Sequence, residues 1–330
     1  MCSFIKVFFT GGCALRVTVT KEYDGKEVLY LLRRTLGLSS AMIRHLKFLD
    51  DGITIGGERV TVRRVLREGE VLILNTADSE QSQIIKPVEL PLSIAYEDED
   101  MVIPDKPAFM PTHTSHDHYD DTVANALAYR YRVEKEHFVF RAVNRLDRNT
   151  SGLLIIAKNR IAAAKLTRAM QEKKMCKKYI AILDGTLDSD GGVIDTYIRR
   201  REESIIVREV CEAREGADRA ITEYRVICRT DRYTIVEAEP RTGRTHQLRV
   251  HFAHLGAPIL GDDLYGTASE YIDRHALHSY SLTLPHPTTG ETLEVRVPLP
   301  EDMQRVVEKL FPEKDINDEI RKQDARNRAK

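Results

Sequence analysis

The run RAVNRLDRNTSGLLIIAK, residues 141–158, joins a charged segment to an apolar one. Residues 153–157 form a continuous apolar stretch, which is typical of a buried strand. The segment before it carries one carboxylate, Asp147, between Arg145 and Arg148. Because nearby cations favour an ionised carboxylate, Asp147 can serve as nucleophile or base towards a ligand whose phosphates the arginines hold. The same pattern also fits a structural ion pair, and the run by itself leaves both interpretations open.

Strand and helix patterns alternate on both sides of this run, across residues 91–312, which predicts an α+β arrangement. Residues 313–330 are highly charged and poor in apolar groups, and predict a solvated tail. The segments LSIAYEDEDMVIPDKP (92–107), KYIAIL (178–183), ITEYRVIC (221–228) and YTIVEAEP (233–240) predict strands, and TVANALAYRY (122–131) and IAAAKLTRAMQEKK (161–174) predict helices.

A second, smaller unit is predicted in residues 1–75, followed by a linker at residues 76–90. Apolar residues at helical spacing and the run GITIGGERV at residues 52–60 predict the order helix, helix, hairpin, strand. The last strand is expected to alternate through Val71 and Ile73. The unit is therefore expected to be a small α+β domain.

The composition excludes several classes of protein. The chain has 330 residues, 42% of them hydrophobic and 31% charged, which excludes fibrous and globally disordered proteins. No window approaches the roughly 18 uninterrupted apolar residues of a membrane helix, and the first residues make a poor signal peptide. The five scattered cysteines include no CxxC pair, which argues against a disulfide framework or a zinc site. We therefore expect a cytoplasmic protein that does not associate with a membrane.

The charge is unevenly distributed along the chain. The net charge is −1, yet residues 141–180 contain eleven Lys and Arg against two Asp and Glu. A basic field on a neutral protein favours a polyanionic partner such as a nucleic acid. A solvated helix face would give the same pattern, and charge alone does not separate the two interpretations.

Several runs follow one another in the order found in RluA-type pseudouridine synthases, and residues 92–300 resemble the catalytic domain of this family. Residues 141–158 resemble its catalytic loop, H-R-L-D-x-x-T-S-G. The other resembling runs are YEDEDMVIPDKPAFMPTH (96–113), KYIAIL (178–183), RTGRTHQLRVH (241–251), LGAPILGDDLYG (255–266) and LHSYSLTLPHPTTGE (277–291). Residues 1–75 resemble the small RNA-binding domain shared by a small-subunit ribosomal protein, tyrosyl-tRNA synthetases and several RNA-modifying enzymes. The resemblances imply a helix–helix–hairpin domain followed by a catalytic domain with a large mixed, mostly antiparallel sheet.

The resemblance also implies roles for individual residues. Asp147 aligns with the catalytic aspartate, Tyr179 with the tyrosine that packs on the target base and takes its carbon-five proton, and Arg244 with the basic residue that pairs with the aspartate. Leu248 is expected to form an apolar wall of the pocket. The remaining residues expected to bind substrate are Asn144, Arg145, Arg148, Thr150, His246 and Gln247, together with Arg33 and Arg44 of the small domain.

Two positions depart from the family pattern: Asn149 replaces a frequent aspartate, and the other is Asn144. Asn144 stands where the family usually has a histidine, two residues before the Leu-Asp of the loop. Asparagine keeps the capacity for hydrogen bonds but lacks the stacking surface and titration of imidazole. The change bears on target selection or efficiency more than on bond chemistry.

The implied reaction is the isomerisation of uridine to pseudouridine in ribosomal or transfer RNA. Because no atoms enter or leave, no cofactor is expected, and the sequence contains no phosphate-binding loop or HExxH motif. The carboxylate can attack the anomeric carbon of the ribose or remove a ribose proton, and the sequence does not choose between these routes. Two other functions remain open: a non-catalytic RNA-binding factor for ribosome assembly, and a hydrolase or lyase of small nucleosides. A monomer is expected.

Three other sets of residues could suggest a metal site or a reactive thiol, and each has a simpler interpretation. His246 and His251 flank Arg249 in what is interpreted as a strand-like run, where they are expected to be hydrogen-bonding histidines of the core or contacts to RNA. Cys176 is expected to be buried and inert. A polar loop rather than a metal site is expected for His113, His116, His118, Asp117, Asp120 and Asp121.

Overall fold

The computed structural model describes residues 7–10, 14–38, 40–75, 85–115, 117–133, 138–204 and 206–312, and residues 314, 316 and 319. Within these residues the strands form two separate sheets. None of the described helices has the length and apolar character that crossing a bilayer requires.

The N-terminal part contains a five-stranded antiparallel sheet in the order β1-β2-β5-β3-β4. A two-residue turn at Gly56 and Gly57, both with positive φ, joins the short hairpin β3–β4, as this turn type requires. The strands are β1 Val7–Thr10, β2 Ala14–Thr18, β3 Ile53–Ile55, β4 Glu58–Arg59 and β5 Val71–Asn75. The helices are α1 Val28–Tyr30, which continues as a π-helical stretch Leu31–Thr35, and α2 Ser40–Phe48.

The predicted helices and hairpin of this part are present, and two details differ from the expectation. Strands β1 and β2 precede the helices and were not predicted. In β5 the buried residues are Leu72 and Leu74, whereas Val71 is exposed. The sequence VLIL is apolar on both faces, so alternation could not reveal which face meets the core.

The rest of the described chain forms an eleven-stranded sheet, β6 to β16. One pair, β8 with β15, is parallel and the other pairs are antiparallel, so the predicted mixed, mostly antiparallel sheet is confirmed. The strands are β6 Ser93–Glu97, β7 Met101–Lys106, β8 Ser151–Leu153, β9 Ile156–Ala157, β10 Cys176–Asp184, β11 Gly191–Arg200, β12 Arg208–Cys211, β13 Asp218–Arg229, β14 Tyr233–Pro240, β15 Leu277–Pro285 and β16 Thr292–Arg296.

Four helices accompany this sheet: α3 Val123–Val133, α4 Arg160–Gln171, α5 Gln247–His254 and α6 Glu301–Leu310. The strand-like interpretation of the run around Arg249 is therefore wrong, because this run forms helix α5. All residues from Gln247 to Phe252 are buried. A helix buried on every side shows no amphipathic period in its sequence.

Helix α4 links the two parts of the molecule. Its residue Ile161 is buried in the apolar core of the N-terminal sheet, whereas Leu166 packs beneath the large sheet. The boundaries of the proposed linker and tail stay predictions, because residues 76–84 and most of residues 313–330 lie outside the described residues.

Candidate active site

A cleft of about 840 Å³ opens beside β10 and α5. The loop 143–150 forms part of its wall, and residues 239–249 form another part. Its volume lies within the range of pockets that enclose a small ligand. Lysines and arginines outnumber carboxylates in the lining, with Arg145, Arg148, Lys173, Lys177, Arg241, Arg244 and Arg249 against Asp147 and Glu239.

Asp147 is the carboxylate that the loop presents to the cleft. Its Oδ2 lies 3.7 Å from Nη1 of Arg249 and 4.0 Å from Nε2 of His246. The backbone oxygen of Asp147 accepts the N–H of Thr150 at 3.1 Å, which closes a tight turn after the carboxylate. The aspartate therefore stands in a basic, partly exposed position with a cation and an imidazole on one side.

Arg249 is the arginine at Asp147, and the sequence interpretation missed it. Its Nε and Nη2 donate to both carboxylate oxygens of Asp262 at 2.7 Å, which leaves Nη1 directed to Asp147. Burial raises the pKa of Asp262, but the hydrogen bonds and charge of Arg249 outweigh this effect and the net shift is downward. The spacing of three between His246 and Arg249 would have placed both on one face, had the run been interpreted as a helix.

His246 adopts the left-handed conformation, with φ +57°, immediately before α5. The hydroxyl oxygen of Tyr265 accepts the backbone N–H of Arg208 at 2.8 Å and lies 2.9 Å from Nδ1 of His246. Burial lowers the pKa of His246, which favours the neutral ring. The tautomer with the proton on Nε2 directs an N–H towards Asp147 and lets Nδ1 accept from the Tyr265 hydroxyl.

Three residues at and after the Asp147 turn, Thr150, Ser151 and Gly152, are held by the start of β15 and the segment just before it. The hydroxyl of Thr150 is 2.8 Å from Nε2 of His275, and the hydroxyl of Ser151 is 2.9 Å from Nδ1 of His278. Gly152 pairs with β15 so closely, at φ +109°, that a Cβ atom there would lie 2.2 Å from the carbonyl oxygen of Ser279. The loop that carries Asp147 is therefore fixed by contacts along its whole C-terminal side.

Arg274 reinforces this arrangement from a fully buried position. Its Nε and Nη2 donate to the Asp302 carboxylate at 2.6 and 3.0 Å, and Asp302 lies in the first turn of α6. Its Nη1 donates to the carbonyl oxygen of Asn149 at 3.1 Å, and Nη2 lies 3.3 Å from the hydroxyl of Ser151. The guanidinium thus joins α6 to the residues that follow Asp147.

Lys106 supports the loop from the other side, with no exposed surface. Its Nζ donates to the carbonyl oxygens of Pro107, Met110 and Arg148 at 2.8 to 3.0 Å. Burial lowers the pKa of Lys106 to about 7, while the nearby charge of Asp147 opposes the shift. Three carbonyl acceptors match the three N–H groups of an ammonium, so Lys106 ties the backbone next to Asp147 to the loop after β7.

Tyr179 lies on β10, is buried, and belongs to the lining of the cleft. The register with β15 shifts between Lys178 and Tyr179, and such a bulge re-aims a side chain. Burial raises the pKa of Tyr179 to about 12, an effect opposed by a hydrogen bond with Ser279 and increased by the charge of Asp147. The side chain is therefore a neutral phenol at neutral pH.

Arg244 lines the cleft but does not pair with Asp147, which corrects the role that the resemblance implied. Its Nη1 lies 3.1 Å from Asp218 and its Nε donates to the carbonyl oxygen of Arg219 at 3.2 Å. Gln247 also differs from the expectation, because its side-chain amide is already hydrogen-bonded within the protein. Its Oε1 accepts the N–H of Arg244, and its Nε2 donates to the carbonyl oxygen of Ile221.

The other predicted substrate-binding residues differ in their burial and in their distance from the cleft. Leu248 and Thr150 are buried and line the cleft, whereas Arg145 and Arg148 line it with exposed side chains. Asn144 lines it too, but its Oδ1 accepts the N–H of Ile155 at 2.8 Å, and its Nδ2 is buried without a partner. Two further residues, Arg33 and Arg44, are exposed in the N-terminal part and do not belong to the lining.

The remaining candidates are accounted for by local contacts. His118 lies 2.6 Å from Asp121, and within the described residues, which omit His116, no group of three or more His, Cys, Asp or Glu side chains is placed to hold a metal ion. His251 is buried between the hydroxyls of Thr196 and Thr222, as expected for a histidine of the core. Cys176 is half-buried at the start of β10 rather than buried as expected, but desolvation still raises the pKa of its thiol to about 12, so the thiol stays protonated.

Comparison with known proteins gives consistent findings. The sequence model of the RNA pseudouridylate synthase family matches residues 100–254. An uncharacterized RNA pseudouridine synthase of Bacillus subtilis, YjbO, is 35% identical over 287 residues, which cover 87% of this chain and 97% of that protein. Ribosomal large subunit pseudouridine synthase D of Vibrio cholerae is 35% identical over 283 residues, which cover 82% of this chain and 86% of that protein.

A solved structure shares the fold. Human RNA pseudouridylate synthase domain containing 1 superposes with a TM-score of 0.52 at 28% identity, covering 68% of this chain and 96% of that one.

Proposed function

Because this chain belongs to the RluA-type family of RNA pseudouridine synthases, we propose that Asp147 is the carboxylate with which it isomerises specific uridines of structured RNA. The observation that carries the proposal is the position of Asp147. It stands at a cleft whose lining contains more lysines and arginines than carboxylates, 3.7 Å from an arginine that is itself anchored on a buried aspartate. A phosphate-rich substrate suits this lining, and Asp147 is partly exposed to it.

The reaction breaks the bond between N1 of uracil and the ribose, and forms a bond from C5 to the same carbon. Asp147 either attacks the anomeric carbon or removes a ribose proton, and both routes need an ionised carboxylate beside the sugar. Arg249, whose Nη1 lies 3.7 Å from Asp147, orients the carboxylate towards the cleft. C5 then loses its proton to solvent, and the released N1 takes up a proton, so that no net proton is gained or lost. Tyr179, a neutral phenol, lies against the base without accepting this proton.

The target base has to leave its stack before it reaches Asp147. Tyr179 and Leu248 offer the apolar surface on which the extruded base can lie. Arg145, Arg148 and Arg244 would hold the distorted backbone through its phosphates.

We propose large-subunit ribosomal RNA as the substrate, with transfer RNA next. The support is that relatives of Vibrio cholerae and Pasteurella multocida are named as synthases of the ribosomal large subunit. The small N-terminal part would bring RNA to the cleft through its exposed residues Arg33 and Arg44. The proposal includes a monomer that acts in the cytoplasm on RNA.

The experiment is tritium release from ribosomal RNA transcribed with carbon-five-tritiated uridine, comparing the wild type with Asp147→Asn. We expect release by the wild type and none by the variant. The contact of Asp147 with Arg249 is partly exposed, so its loss should change the free energy of unfolding by less than about 1 kcal/mol. The matched control is Asp190→Asn, at a highly exposed aspartate paired with Arg229, which should release tritium at the wild-type rate.

Two results would contradict the proposal. Turnover by Asp147→Asn would remove Asp147 from its catalytic role. RNA binding by the wild type without any tritium release would instead favour a ribosome-assembly factor that keeps the fold.

A further inference from the structure

Phe109 has a backbone conformation that its side chain does not favour. Its φ is +65°, in the left-handed region, where a bulky side chain is strained. The ring does not compensate by packing, because 47% of the residue is exposed. A glycine would satisfy the same turn without strain, so packing and turn geometry do not account for an aromatic residue here.

The position of Phe109 is fixed next to the active-site loop. Its carbonyl oxygen accepts Nε of Arg148 at 3.3 Å. On either side of it, the carbonyl oxygens of Pro107 and Met110 share the Nζ of Lys106 with the carbonyl oxygen of Arg148. Phe109 therefore lies beside Arg148, an exposed residue of the cleft lining that follows Asp147 directly, and is not itself part of that lining.

Backbone strain in the described residues gathers around this cleft. Four residues other than glycine have a positive φ, and two of them, Lys173 and His246, line the cleft. Phe109 lies two residues before Pro111, which lines it as well. Strained conformations of this kind cluster where a site requires a particular side-chain direction.

We propose that Phe109 is a stacking surface for the base of the nucleotide next to the target uridine, and that Arg148 holds the phosphate of the same nucleotide. This inference rests on the proposed function. When the target base leaves the helix, its neighbour loses a stacking partner, and an exposed aromatic ring can take that place. The adjoining guanidinium supplies the contact to the backbone. Phe109 thereby adds a contact outside the uridine pocket and contributes to the choice of site.

The first test compares three variants in single-turnover tritium release with the tritiated ribosomal RNA transcript. Phe109→Tyr keeps a planar ring and should keep the wild-type half-saturating concentration. Phe109→Leu keeps apolar surface without a ring face, and Phe109→Gly removes both. Base–aromatic stacking corresponds to a change of about 5- to 150-fold, so both of these variants should raise the half-saturating concentration at least about fivefold. The maximal rate should change little, because the ring does not touch the reacting atoms.

The urea midpoint distinguishes the proposed role of Phe109 from a role in packing, because the two roles predict opposite changes in stability for Phe109→Gly. Phe109→Gly relieves the strained φ and should keep or raise the urea midpoint, while its RNA dependence worsens. A lower midpoint for Phe109→Gly would assign the ring to packing and overturn the inference. So would a half-saturating concentration for Phe109→Leu equal to that of the wild type.

A second test identifies the contacted base. In a ribosomal RNA stem-loop that carries the mapped uridine, the base on the 5′ or the 3′ side is removed in turn. Removal of one of these bases should weaken the wild type and have no further effect on Phe109→Leu, as expected for two partners of one contact. Additive effects at both positions would overturn the inference while the proposed function stands. A wild type that releases no tritium would overturn both.

Discussion

Replacement of Arg274 by lysine should separate the positioning of the active-site loop from its chemistry. Arg274 is fully buried and does not line the cleft, so it acts on the substrate through the loop alone. Lysine keeps the charge but has three donors at one nitrogen instead of a planar fork. It can retain a contact to Asp302 but loses the second one, together with those to Asn149 and Ser151.

The magnitude follows from the contacts that are lost. At least two charge-assisted hydrogen bonds disappear, each worth about 1.5 kcal/mol or more. Arg274→Lys should therefore lower the free energy of unfolding by about 3 kcal/mol, or about 100-fold in the folding equilibrium. The carbonyl of Asn149 lies two residues from Asp147, and a displacement of about 1 Å at a reacting group costs about 100-fold in rate. The single-turnover rate of the folded variant should fall by about this factor.

The assay is single-turnover tritium release with enzyme in excess, at a temperature where urea titration shows the variant to be folded. The matched control is Asp302→Asn, which weakens the same buried pair but leaves the contacts of Arg274 to Asn149 and Ser151. This control should lose stability and keep its rate within about threefold of the wild type. Equal rates for folded Arg274→Lys and Asp302→Asn would refute the positioning role of Arg274.

Three other outcomes follow from the site. Gly152→Ala should lose about 3 kcal/mol or more in urea unfolding, because its Cβ would lie 2.2 Å from the Ser279 carbonyl oxygen, and a wild-type midpoint would contradict that close approach. Arg244→Ala should raise the half-saturating RNA concentration and leave the single-turnover rate within about threefold of the wild-type rate. A rate about 100-fold slower would instead indicate that Arg244 pairs with Asp147 during the reaction. His275 and His278 have pKa values lowered by burial to about 3, below the 6.5 of an unperturbed histidine, so the unfolded chain takes up protons first and stability is lost as the pH falls from about 6.5 towards 3. The free energy of unfolding measured in urea should therefore be lower at pH 5 than at pH 7 by about 2 kcal/mol for each histidine. In His278→Gln, this difference between the two pH values should be smaller by about 2 kcal/mol.

Much of the fold was accessible from the sequence because its signals are local. Helical spacing of Val28, Leu31 and Leu32 predicted the first helix, and all three residues are buried. The Gly56-Gly57 pair predicted the hairpin, because a turn signal is also local in the sequence. Helix α5 was missed because it is surrounded by protein on all sides, so burial removed the periodicity from which a surface helix is inferred.

The sequence predicted a carboxylate among arginines at Asp147, and the structure brings Asp147 to the cleft but pairs it with an arginine that was not predicted. Three arginines in the run 241–251 are equivalent in sequence, and only the folded path of α5 directs Arg249, rather than Arg244, towards Asp147. The buried charges of Lys106 and Arg274 carry no local signal, because their partners lie across the fold. Their roles depend on the tertiary structure.

The bonds that hold the Asp147 loop also determine when the enzyme becomes competent during its synthesis. Thr150 and Ser151 are tied to His275 and His278, which lie 125 and 127 residues later in the chain. Contacts of such long range form late, since the loop between them has to close first. A nascent chain halted on the ribosome before β15 should therefore be unable to modify RNA, while the full-length chain is active, and tritium release by stalled chains compared with released ones measures this. On this prediction, the Asp147 loop reaches its final position only after β15 has been synthesised.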